Sequence, residues 1–201
     1  KSQLIIRNVN VNQTRIGINA ILKKMGVKIT YLNKKIYKGE PIADILVKSP
    51  KKLKSINCPS KLNSNAIDEF LIIFLIAARA KGISYFKNLD ELNKKESPRL
   101  KWASKILRMM GIKVITTKNS IRIFGNPKLE VNKKIVIQIY GNPKLKVSKK
   151  IVIQKYLKDH RVFMTSVIAA LSFGGEWHIH DKDAIQSSFP SFLKIVNTFT
   201  K

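Results

Sequence analysis

The segment AILKKMGVKI, residues 20–29, returns as KILRMMGIKV at residues 105–114. Each reads as the end of an amphipathic helix, a Met-Gly stop and an alternating strand. The same order recurs at IAARAKGISYF (76–86) and at IAALSFGGEWHI (168–179). Gly26, Gly82, Gly111 and Gly174/Gly175 are thereby expected to be left-handed residues that end helices. About four helices, each preceded and followed by strands, leave few folds open. The pattern predicts an α/β or α+β domain built of repeated βαβ-like subunits.

Helix starts fit that plan. Asn12 or Thr14 is placed to cap the first helix, Asn65 or Asp68 the second, Ser97 the third with Pro98 at its first position, and Asp159 the fourth. A short last helix is expected from Ser188–Pro190. Strands are expected at 4–9, 27–32, 43–48, 83–86, 112–116, 120–125, in the two KIVIQ runs and at 176–180. Laid over this plan is a tandem repeat, IFGNPKLEVNKKIVIQ (123–138) followed at once by IYGNPKLKVSKKIVIQ (139–154). The copies agree at 13 of 16 positions. Each reads as a GNPK turn, a short strand, a second turn and a β-branched strand. Two copies are too few for a solenoid. The repeat is expected to be an extra hairpin at a sheet edge.

Composition narrows the function classes. The longest apolar run, Phe70 to Ala78, has nine residues, against the roughly 20 that cross a bilayer. No signal peptide is visible at the start, and a single cysteine, Cys58, allows no internal disulfide. A cytoplasmic protein is the expectation, with no membrane partner. The formal net charge of +27 invites a polyanion. Most of that charge is lysine scattered from end to end, however, and no nucleic-acid module signature accompanies it. A nucleic-acid partner is therefore not expected, and a basic nucleic-acid-binding module stands as the alternative from another class.

Three polar clusters stand at expected helix starts: Asp68 and Glu69 in AIDEF; Lys94, Lys95, Glu96 and Arg99 in LNKKESPRL; Asp159, His160 and Arg161 in KDHRVFM. Helix starts offer free N–H groups and partial positive charge, which suit phosphates and carboxylates. Arg99 and Arg161 add planar donors for the same anions. Asp68 and Glu96 are the carboxylates available for acid–base work. Taken singly, an acidic residue here is ordinarily a dipole partner and Arg99 a surface residue. His178 and His180 have metal-ligand spacing, but edge-strand surface is the simpler reading. Cys58 lacks a nucleophile's setting.

Read in order, the clusters resemble the C-terminal half of the 5-enolpyruvylshikimate-3-phosphate (EPSP) synthase family. The family's NxxxNPTRxGxxxxLxxMGA is matched by NVNVNQTRIGINAILKKMGV, and its GExVADIxV by GEPIADILV (39–47). IDEF (67–70) matches its IDEYP/IDEFP, and DELNKKESPRL (90–100) its EELRVKESDRL. DHRVFM (159–164) matches DHRIAM, and SSFPSF (187–192) matches TSFPxF. The likeness runs from about residue 3 to 200, interrupted only by the duplication.

The resemblance implies helices inside and sheets outside, in a single C-terminal lobe over residues 1–201. It implies a reaction in which the 5-hydroxyl of shikimate 3-phosphate adds to C2 of phosphoenolpyruvate and phosphate then leaves. Asp68 would hold the shikimate hydroxyls and accept the attacking hydroxyl's proton. Lys95 would contact the forming intermediate, and Glu96 would move protons at the methylene carbon. Arg99 and Arg161 would bind phosphoenolpyruvate's carboxylate and phosphate. No metal or organic cofactor is implied. Leu71 replaces the family's Pro after IDEF, Pro98 replaces the Asp of KESDR, and Ser187 stands where some members carry lysine. The family enzyme has two lobes with the active site between them. The missing N-terminal lobe would be this chain's partner, and the chain alone is expected to be inactive. The related UDP-N-acetylglucosamine enolpyruvyl transferase is the alternative within the class, and the KESPR and DHR motifs argue against it.

Overall fold

The computed structural model describes residues 2–128, 131–138, 150–153 and 158–198, the two middle segments as backbone. In chain order the elements are β1 (Gln3–Asn10), α1 (Gly17–Lys24), β2 (Lys28–Tyr37), β3 (Glu40–Lys48), α2 (Phe70–Ala78), β4 (Gly82–Phe86), α3 (Arg99–Met109), β5 (Val114–Thr116), β6 (Ile121–Gly125), β7 (Val131–Gln138), β8 (Lys150–Ile153), α4 (His160–Phe173), β9 (Gly174–Ile179) and α5 (Phe192–Thr198). The chain divides into two compact units. One comprises residues up to Glu91 with Ile112–Lys128; the other comprises Leu92–Gly111 with the described residues beyond 128.

The first unit is organised around α2. Its sequence, FLIIFLIAA, is apolar on every side, and Phe70, Leu71, Ile73, Phe74, Leu75, Ala77 and Ala78 are buried. Each large side chain so buried contributes about 1.5–3 kcal/mol, so this helix is an interior element rather than a surface amphipath. Phe86 meets Phe70 and Phe74 edge-on and those two are tilted on each other, with ring centroids 5.1–6.0 Å apart. Two antiparallel sheets belong to this unit, β1-β3-β2 and β4-β6-β5. Lys38 (φ 50) and Gly39 (φ 80) close the β2–β3 hairpin in the left-handed conformations a two-residue turn requires. The sequence reading stopped β2 at residue 32 and did not find this turn.

A further extended segment, residues 53–58, runs parallel to β4. It is held by Lys81 N–H to Leu53 O, Tyr85 N–H to Ile56 O and Cys58 N–H to Tyr85 O. With α2 between them, the segment and β4 form a βαβ unit. The second unit repeats the device: β8, α4 and β9 succeed one another, and β8 and β9 are parallel. The expected βαβ-like subunits are thus present in both units, although the pairings among the named strands of the first are antiparallel. Trp177, Phe163, Val167, Leu100 and Ile106 are among the second unit's buried apolar residues.

Gly26 and Gly111 follow α1 and α3 at φ 93 and φ 85, as a left-handed stop demands. Gly174 (φ 74) ends α4 as its C-cap, its N–H donating to Ala170 O, and also opens β9, whereas Gly82 (φ 103) opens β4 beyond the α2 cap at Arg79.

The expected caps fare unevenly. Ile16, Glu69 and Pro98 occupy the cap positions of α1, α2 and α3, and none makes a side-chain cap bond. Only the fourth expectation holds, at Asp159.

The repeat behaves differently from a hairpin at an edge. Val131–Gln138 is one strand where a turn was expected at 132–133. Both KIVIQ runs lie parallel to β9, one on each side, in the order β7-β9-β8. β9 is therefore central, not the edge strand assumed for His178. The GNPK turn of the first copy is anchored by Asn126 N–H to Ala78 O and by Lys128 N–H to Asn126 Oδ1. A side chain at Gly125 would overlap the Ala77 and Ala80 carbonyl oxygens, so only glycine fits there. The second copy's turn lies outside the described residues.

Candidate active site

The second unit draws two of the three polar clusters together. α3 begins at Arg99, directly after KESP, and α4 begins at His160, directly after Asp159. Asp159 arrives in an extended conformation (φ −106, ψ 104), which aims its carboxylate at the free N–H groups of the next turn. Oδ1 accepts from the Arg161 and Val162 N–H groups at 2.9 and 3.2 Å.

The other oxygen faces α3. Oδ2 accepts from Ser97 Oγ at 2.8 Å and from Arg99 Nε at 3.0 Å. Ser97 thus bonds to a carboxylate 62 residues away instead of capping its own helix. Arg99, expected singly as a surface residue, is only 2% exposed. Its Nη2 is ion-paired with Glu96. Two carboxylates on one guanidinium make Arg99 a buried cation with matched partners, the condition under which such burial is tolerated.

Burial by itself would raise the Asp159 pKa. The hydrogen bonds from Arg99 and Ser97, the Arg99 charge and the Val162 N–H more than offset it, and the carboxyl is held below its usual range. Asp159 is an anion throughout the neutral range. Glu96 differs in setting, with half of its side-chain surface exposed. It can exchange protons with a bound molecule or solvent, which the enclosed Asp159 cannot. Lys95 and Arg161 are half-buried at the same two helix starts, and Lys94 is exposed.

Asp68 belongs to the first unit. It sits half-buried on the turn between a short 3-10 stretch, Ser64–Ala66, and α2, and α2 takes no side-chain cap. Cys58 is buried with its thiol pKa pushed up to about 11, chiefly by burial, with Lys24 pulling weakly the other way. That suits the inert reading. His178 Nε2 lies 2.8 Å from Oε1 of the buried Glu176, a carboxylate neighbour that the sequence reading did not consider. Among the described residues no group of three or more His, Cys, Asp or Glu could hold a metal, and no helix is long and apolar enough to cross a membrane.

Comparison with known proteins gives a consistent result. The family model described as EPSP synthase (3-phosphoshikimate 1-carboxyvinyltransferase) matches residues 1–196. The 3-phosphoshikimate 1-carboxyvinyltransferase of Thermodesulfovibrio yellowstonii is 33% identical over 200 residues, covering 100% of this chain and 42% of the relative. That of Geotalea daltonii is 35% identical over 199 residues, covering 99% and 42%. The EPSP synthase structure from Acinetobacter baumannii superposes with a TM-score of 0.81 at 34% identity, covering 98% of this chain and 41% of that one. The enolpyruvyl transferase NikO from Streptomyces tendae shares the fold alone, at a TM-score of 0.62 and 14% identity over 96% of this chain and 38% of that one. The chain spans about two fifths of the length of the curated relatives it matches.

Proposed function

The chain belongs to the EPSP synthase family, and from that premise we propose that it is the C-terminal lobe of an enolpyruvyl transferase acting on shikimate 3-phosphate and phosphoenolpyruvate in the cytoplasm. Residues 1–201 form this one lobe, with the 16-residue duplication at 123–154 set into it. The observation that carries the reading is the joining of KESPR and DHR. Residues 60 apart in sequence meet at the Asp159 carboxylate, which joins Arg99, itself ion-paired with Glu96, to the first N–H groups of the Arg161 helix.

In the reaction, the 5-hydroxyl oxygen of shikimate 3-phosphate forms a bond to C2 of phosphoenolpyruvate, and the methylene carbon gains a proton. The tetrahedral intermediate then loses that carbon's proton and expels phosphate, leaving the enol ether. Asp68 takes the hydroxyl proton, and Glu96 delivers and removes the proton at the methylene carbon. Lys95 contacts the intermediate. Arg99 and Arg161 hold the anionic groups of phosphoenolpyruvate, each charge-assisted contact contributing about 1.5–3 kcal/mol. The partner is the N-terminal lobe, which supplies the remaining contacts.

The test is phosphate release from the two substrates, by this chain alone and mixed with an N-terminal lobe of a relative such as the Acinetobacter baumannii enzyme. Activity confined to the mixture supports the proposal. A folded sample that stays silent in both would leave ancestry without present function.

A further inference from the structure

We infer that Asp159 is a positioning residue for the transfer, fixing the plane of the Arg99 guanidinium that meets phosphoenolpyruvate; the inference rests on the reading of function given above. A carboxylate that served only to cap α4 would need one oxygen, and Oδ1 does that work with two N–H groups. Oδ2 is turned to the other helix start, where it takes Ser97 Oγ and Arg99 Nε. Nε is the donor that matters for orientation. It is the last atom before the terminal fork, so holding it settles the direction in which the planar group faces.

The two carboxylates on Arg99 are not equivalent. Glu96 is half exposed and can leave the arginine for water or substrate at little cost. Asp159 is buried, bound to two backbone groups and one hydroxyl, and cannot leave without stranding a buried charge. Asp159 is therefore the fixed anchor and Glu96 the movable partner. That division lets Glu96 handle protons while Arg99 keeps its aim. The sequence reading assigned roles to the arginine of DHR and left its aspartate as a cap.

Asp159→Asn separates the two functions. Asparagine caps helices as well as aspartate does, so α4 keeps its start. The amide nitrogen, however, opposes Arg99 Nε–H, donor against donor. In the reassembled enzyme kcat/KM for phosphoenolpyruvate is expected to fall about a hundredfold, the scale of a misplaced binding group. KM for shikimate 3-phosphate should stay at the wild-type value. Ser97→Ala, which leaves the Asp159–Arg99 bond in place, should give a smaller loss in the same direction. In the 201-residue chain by itself, the Arg99 Nε–H should exchange slowly with solvent in nitrogen-15 NMR and lose that protection in the Asn variant.

A protected Nε–H together with a loss confined to phosphoenolpyruvate supports the inference. An Nε–H that exchanges as fast as a free arginine's overturns it, with no variant needed. So does an Asn variant whose two substrates suffer equally, because that is what a merely structural link between α3 and α4 would produce. Silence of the wild-type mixture would instead sink the functional reading, and the exchange rate would still decide whether Asp159 holds the guanidinium.

Discussion

Two helices begin behind an aspartate, and the chain enters them differently. Ahead of α4 the chain arrives extended, and Asp159 closes the helix start with its own carboxylate. Ahead of α2 it arrives already coiled, through the 3-10 stretch Ser64–Ala66, with Ile67 and Glu69 in the right-handed helical region. That approach lacks the extended backbone that a capping residue ordinarily takes. IDEF and KDHR thus look alike as helix signals and differ in the backbone that leads into the helix. Asp159 is committed to a buried lattice of bonds. Asp68 sits half-buried at the start of α2, whose cap position belongs to Glu69.

The largest effects should separate chemistry from scaffold. In the reassembled enzyme, Glu96→Ala and Asp68→Asn should each lower kcat by about 10²–10⁴-fold, the range for loss of a general acid–base group. Lys94→Ala, at an exposed neighbour, should leave kcat near wild type. Steady-state phosphate release reads all three. Equal losses at Glu96 and Lys94 would mean that the motif has been assigned to the wrong residues.

Stability should show the reverse order. Asp159→Ala removes the buried counter-ion of the Arg99 cation, which is 2% exposed and keeps the half-exposed Glu96. The expected cost is about 3–5 kcal/mol, as for breaking a buried pair from one side. Asp68→Ala, at a half-buried position, should cost less, about 1 kcal/mol. Urea unfolding of the two variants compares them directly. Matching costs would erase the distinction between the two aspartates.

A smaller effect carries a definite sign. The Asp159 pKa is lower in the folded chain than in the unfolded one, so the unfolded state binds the proton more tightly. Its stabilisation is complete above the unfolded value of about 3.9 and is lost as pH falls through the lower folded value. The stability gap between wild type and Asp159→Asn should therefore be constant near neutral pH and narrow below about pH 4. A gap that widens on acidification would contradict the lowered pKa.

Local signals carried the elements. Helical and alternating patterns placed the helices and most strands, and the stops at Gly26 and Gly111 fell where the side-chain-free residue is needed. What escaped was decided at a distance. The Ser97–Asp159 bond spans 62 residues, so Ser97 in isolation could only be read as a cap. Residues 53–58 have no periodic pattern of their own and become a strand-like segment through β4. The Lys38–Gly39 turn was within reach, since a glycine between two alternating runs signals a hairpin. The family resemblance supplied the roles of Lys95, Glu96, Arg99 and Arg161, which no pattern or spacing could have named.

The repeat sets the smallest expected effect, and its logic is combinatorial. Deleting 139–154 or deleting 123–138 leaves nearly the same chain, because the copies differ only at Phe124/Tyr140, Glu130/Lys146 and Asn132/Ser148. Either product retains one GNPK turn, with the glycine that the Ala77 and Ala80 carbonyls require, and one KIVIQ strand. The two present strands meet β9 with Ile137 and Ile151 both opposite Trp177. These are not equivalent positions of the repeat but are two residues out of step, and a shift of two preserves which face each side chain takes. One copy can therefore fill a place beside β9 without turning its apolar residues outward. Both deletions should fold cooperatively, with one edge of β9 newly open and a modestly lower melting temperature, the same in each within error. Calorimetry on the pair decides it: global unfolding of both would make the second copy an integral strand, and unequal melting would trace the difference to the three positions where the copies diverge.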